Sequence, residues 1–166
     1  MRPGSTGTVR NVAARWAALG PIVFGIGLAG TLDEIVFHQI LHWHHLYDRS
    51  TSGVALVSDG LLHIGSTAAL LVGGRAILRR RHEGGGLPGH RVVAGTMIGA
   101  GGFNLYDGTV QHKVLRLHQV RYGVDPLPYD AVFIGLAAVV FVSGLGLWLR
   151  PARRPQPEGI PTKGTA

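Results

Sequence analysis

Four stretches of the chain are long and apolar enough to cross a bilayer as helices, at about residues 17–44, 54–78, 92–118 and 129–149. A hydrocarbon core needs about 20 such residues. The pattern predicts an all-α membrane protein, a bundle of four transmembrane helices over residues 17–149. Residues 1–16 form a short N-terminal segment, and the tail 150–166, with Pro151, Pro155, Pro157 and Pro161, has the composition of a disordered segment. The first span follows Arg2, Arg10 and Arg15 as a signal peptide would. Its apolar stretch is long and its polar residues lie at the far end, which reads as an uncleaved anchor.

Charge adds a direction to this pattern. The formal net charge is +7, yet charged residues make up only 15% of the chain and hydrophobic ones 46%. Twelve of the sixteen Lys and Arg lie before the first span, in 75–91, or after position 149. The other four, Arg49, Lys113, Arg116 and Arg121, lie toward the opposite side. This is the asymmetry of membrane topology rather than the basic face of a nucleic-acid binder. It places both termini in the cytoplasm and the loops 45–53 and 119–128 outside. The chain has no cysteine, which removes disulfides, zinc thiolates, iron–sulfur ligation and thiol catalysis.

The spans also resemble one another. A shift of 74 residues lays the first on the third: Gly25 and Gly27 fall on Gly99 and Gly101, Asp33 on Asp107, His38 on His112 and His44 on His118. A shift of 71 lays the second on the fourth, with Asp59 on Asp130, Gly73 on Gly144 and Arg79 on Arg150. Matched helices separated by one span run in the same direction, so the expected architecture is two parallel two-helix repeats.

Ionisable side chains inside a span are rare and costly, and point to a function with a partner. Here Asp33, Glu34, His38, His42, His44 and His45, then Asp59 and His63, then Asp107, His112 and His118, all lie toward the outward ends of their helices. At a rise of ~1.5 Å per residue, His38, His63 and His112 fall in one layer, with Asp59 a turn above and Asp33 and Asp107 roughly 7 Å deeper. Three imidazoles and a carboxylate from different helices suit a divalent metal held by His38, His63, His112 and Asp59. His44, His45, His118, Asp33 and Asp107 are candidates for a supporting shell or a second site. At ~100° per residue His38 points about 140° away from Asp33, so one ion takes both only if the helix deforms.

Each signal has a plainer meaning. Gly25, Gly27 and Gly30 imitate a dinucleotide fingerprint, but within an apolar helix they read as close packing. Asp130 reads as the cap of the fourth helix, Glu34 as a partner of His38, and His44, His45 and His118 as interfacial residues. The histidine layer could be a buried hydrogen-bond network joining the repeats.

The strings Asp33-Glu34-Ile35-Val36-Phe37-His38, Trp43-His44-His45, Asp59-Gly60-Leu61-Leu62-His63 and Asp107 to His112 resemble an uncharacterised bacterial family of small four-helix membrane proteins, a domain of unknown function. The resemblance covers about residues 20 to 150. The family pattern fits Asp33, His38, Trp43, His44, His45, Asp59, His63, His112 and His118. The chain departs from it at Glu34 and His42, where the pattern has a small residue and a glutamine, which makes His42 the weaker candidate. The resemblance implies a bacterial inner (plasma) membrane as the location, and a site without naming its chemistry.

Three functions are compatible with these residues. One is a membrane metal-binding protein carrying zinc, copper or non-haem iron, either an enzyme with an open coordination position or a metal-handling assembly factor. A second is a b-type cytochrome with His38 and His112 as axial haem ligands. The third is a transporter or proton pathway using Asp33 and Asp107. The lipid bilayer is the expected surrounding, with a second copy or a respiratory-type membrane protein as partner and no nucleic acid.

Overall fold

The computed structural model describes the backbone of residues 5–151 and the side chains of 19–151; residues 1–4 and the tail from 152 lie outside the described residues. Helix α1 spans Ser5–Asp33 and continues as a π-helix over Glu34–Ile40. Helix α2 spans Ser52–His82, and α3 spans Gly89–Tyr106 before a second π-helix over Asp107–Val114. Helix α4 spans Pro126–Leu149. All regular structure among the described residues is helical.

The helix ends differ from the apolar limits for local reasons. α2 runs on to His82 because Arg79, Arg80 and Arg81 in its last turn complement the negative end of the helix dipole. The first and third helices stop at Ile40 and Val114 rather than at 44 and 118. Beyond each stop a non-glycine residue turns left-handed, His42 at φ 50° and Arg116 at φ 51°, a geometry that ends helices. α4 starts earlier than expected, because Asp125 accepts a hydrogen bond from Leu127 N (3.0 Å) and Pro126 supplies the first turn. Asp130 is therefore not the cap: it lies inside the helix and is buried.

Leu19–Ile40, Ser52–His82 and Pro126–Leu149 are long and apolar enough to cross a membrane. α3 has 18 residues before its polar end and lies against both α1 and α4. Leu56, Leu61, Ile64, Val139 and Leu149 are among many large apolar side chains left exposed, as suits a surface facing lipid rather than water.

Small residues set how closely the helices approach. A Cβ on Gly25 would strike the backbone of Thr96 and Ala100, and one on Gly99 the backbone of Ile22 and Ile26. Gly95 meets Pro21 and Gly30 meets Phe103 farther along, the same order on both helices, so α1 and α3 run parallel. Gly27 meets the backbone of Ser66 and Leu70 on α2, and Gly101 that of Phe141 on α4. The glycine string is thus a packing surface, as its apolar setting suggested.

Candidate metal centre

The two π-helices decide what the polar residues can do. In a turn closed from i to i+5, residues five apart stand one above the other, whereas an α-helix would separate them. Asp33 and His38 are five apart, as are Asp107 and His112. The pairs meet, at 3.5 Å from Asp33 Oδ2 to His38 Nε2 and 3.0 Å from Asp107 Oδ2 to His112 Nε2. The deformation that one ion would need to reach both Asp33 and His38 is present. Each π segment closes in the same way: Leu41 N donates to Val36 O (2.9 Å) and Leu115 N to Val110 O (2.8 Å).

The loops after these segments bring in two more histidines. His44 Nδ1 lies 2.8 Å from Val120 O, and His118 Nδ1 lies 2.9 Å from Leu46 O. A carbonyl oxygen only accepts, so both rings carry a proton on Nδ1, which in the neutral imidazole leaves Nε2 as a lone pair. The two rings stack at 4.6 Å, 9° from parallel. His38 adjoins His44 at 4.6 Å and His112 adjoins His118 at 4.6 Å. The four imidazoles thus form a row with His38 and His112 at its ends.

Carboxylates orient the end rings. His38 Nδ1 is 2.8 Å from Glu34 Oε2 and 2.9 Å from Asp59 Oδ1. Asp59 also takes His45 Nδ1 (2.5 Å) and Leu46 N (2.8 Å). His112 Nδ1 is 3.6 Å from Asp130 Oδ1, and Asp130 pairs with Lys113. The Nε2 atoms of His38 and His112 face Asp33 and Asp107. His112 Nε2 and His118 Nε2 are 2.9 Å apart, and Asp107 Oδ1 is 3.5 Å from His118 Nε2. Buried His38 Nε2, His44 Nε2 and Asp107 Oδ2 make no hydrogen bond.

A tetrahedral ion with bonds of about 2.0–2.1 Å separates its donor atoms by about 3.3 Å, close to the spacing seen here. Three sets of buried side chains place one donor atom each within 4.8 Å of one another: His44, His112 and His118; Asp33, His38 and His44; Glu34, His38 and Asp59. An apolar cavity of about 430 Å³ between α1, α3 and α4 reaches Asp33 and Asn104.

A family model described as "Predicted membrane protein (DUF2243)" matches residues 20–151. The chain belongs to this family. DUF2243 is a domain of unknown function, in keeping with the resemblance its motifs carry. No curated protein and no solved structure matches the chain.

Within the DUF2243 region the expected residues sort into three groups. His38, His44, His112, His118, Asp33 and Asp107 converge, and Asp59 stands behind His38. His45 is part-exposed, and its ring meets Asp59 rather than the cluster. His63 is exposed and outside the cluster, so the expected layer of His38, His63 and His112 does not assemble. The buried positions of α2 are Ala55, Asp59, Ser66 and Gly73. Their stripe drifts backward around the helix from Asp59, and His63 lies roughly 70° off its middle at ~100° per residue. His42 is exposed too. The residues whose weight the sequence understated are Asp130, which faces His112, and the central pair His44 and His118. The signal for that pair was the repeat itself, which matches them.

Proposed function

We propose that this is an integral membrane metal-binding protein, with four spans arranged as two parallel two-helix repeats and a His/Asp centre near their outward end. The observation that carries the reading is the buried Nε2 of His44. Its ring proton is committed to Val120 O, so the inward nitrogen is a lone pair, and it has no donor. Around it stand His118 Nε2, likewise a lone pair, and the carboxylates of Asp33 and Asp107. A dry cluster of acceptors is costly unless a cation sits among them. Nitrogen and oxygen donors without sulfur suit zinc, copper(II) or non-haem iron, and two histidines with one carboxylate is a facial pattern of iron(II) oxygenases.

A pure hydrogen-bond network accounts for less. His112 Nε2 could donate to His118 Nε2, but His44 Nε2 would remain without a donor. Axial haem ligation by His38 and His112 would need a flat slot between those rings, and His44 and His118 occupy that space. A proton pathway through Asp33 and Asp107 leaves the orientation of four imidazoles unused. The repeat is supported by matched details at the 74-residue shift, including His42 with Arg116 and the exchange of His44 and His118 bonds between the loops. The arginine asymmetry supports cytoplasmic termini.

The test is elemental analysis with an absorption spectrum of the purified full-length protein. The expected result is a transition metal in stoichiometric amount and no Soret band. His118→Ala and Asp107→Ala should each bind clearly less metal than wild type, while His63→Ala, His82→Ala and His90→Ala retain the full amount. A Soret band, or equal retention by all five variants, overturns the reading.

A further inference from the structure

We propose, resting on the metal-binding reading above, that the centre holds two divalent transition-metal ions, one on Asp33, His38 and His44 and one on Asp107, His112 and His118. The row of rings carries this first. Next-nearest rings stand 6.4 Å (His38 to His118) and 6.0 Å (His44 to His112) apart, with His38 and His112 at the two ends of the order of contacts. Asp33 and His44 join His38 within one donor set, while Asp107 lies 3.0 Å from His112 Nε2 and 3.5 Å from His118 Nε2, so each end gathers three donors of its own. Each end has its own carboxylate five residues before its histidine, and its own loop histidine held by a carbonyl of the other loop.

Charge favours cations at this end. Asp33, Glu34, Asp59, Asp107 and Asp130 are all buried, and Lys113 pairs with Asp130. A buried carboxylate cluster stays anionic only when cations compensate it, and two divalent ions compensate more of it than one.

The two ions are not equivalent. Behind His38 stand Glu34 and Asp59, whose negative charge strengthens the imidazole as a donor. At the matched place in the second half Glu34 is replaced by Gly108, and Gln39 by Lys113, whose ammonium offsets Asp130. The ion on Asp33, His38 and His44 is therefore the tighter of the two.

Titration of metal-stripped, full-length protein with Co(II), followed by desalting and metal analysis, tests this. Wild type should retain two ions per chain, and His38→Gln and His112→Gln one each. One ion in wild type with none in either variant overturns the two-ion inference but leaves the metal-binding reading standing. No retention in wild type overturns both. Should the histidine variants fail to fold, Glu34→Gln and Lys113→Gln decide. The first should weaken the tighter step by about tenfold or more, and the second should tighten the weaker step. No change in either step overturns the assignment.

Discussion

His44 and His118 show how little of a side chain's role is visible from its place at a span end. Both look interfacial in sequence, and both become central because each loop folds back to offer the other's histidine a carbonyl. Nothing in residue spacing announces that crossing, although the 74-residue match pairs the two. Asp59 and the pair Asp33 and Asp107 were legible as polar residues at depth. His63 misled because one helical turn from Asp59 seemed enough to share its face, whereas the buried stripe of α2 drifts the other way. Asp59 holds His38, His45 and the Leu46 amide at once, so it fixes the orientation of a ligand it does not replace. Asp59→Ala should therefore lower metal affinity by about 10- to 100-fold in competition with a chelator. Glu83→Gln, at an exposed pair with Arg79, should leave it unchanged; equal effects would remove the orienting role.

At the scale of elements, hydropathy located the helices and missed their deformation. Apolar length says that a segment spans but is blind to whether a turn closes at i+4 or i+5. Asp33 and His38 looked 140° apart for that reason, and the recurrence of the same five-residue spacing at Asp107 and His112 was the available hint. The third helix, expected over 92–118, runs from Gly89 to Val114, and its polar end belongs to the site. The glycine contacts were legible, because small residues in an apolar helix have few other uses. Gly25→Val and Gly99→Val should each destabilise the protein by ~1–3 kcal/mol or more, because the obstacle is backbone. Gly65→Ala, with open space around it, should leave thermal unfolding unchanged. Comparable melting of all three would contradict the close α1–α3 approach.

The whole molecule reads as a membrane bundle that concentrates its polar chemistry at one end. Five of its nine acidic residues are buried there, and Arg75, Arg79, Arg80, Arg81, Arg91 and Arg150 lie toward the other end. That polarity makes orientation testable: reporters fused in 82–90 should signal the cytoplasm, and in 119–127 the outside. A reversed result would put the centre on the cytoplasmic face without dissolving it. The claim that the centre holds metal is tested most directly by X-ray absorption at the metal edge of the purified wild-type protein. The account predicts a shell of nitrogen and oxygen at about 2.0–2.1 Å, with the outer scattering of imidazole rings and no sulfur. An edge too weak for one ion per chain, or the four equatorial nitrogens of a porphyrin, would contradict it.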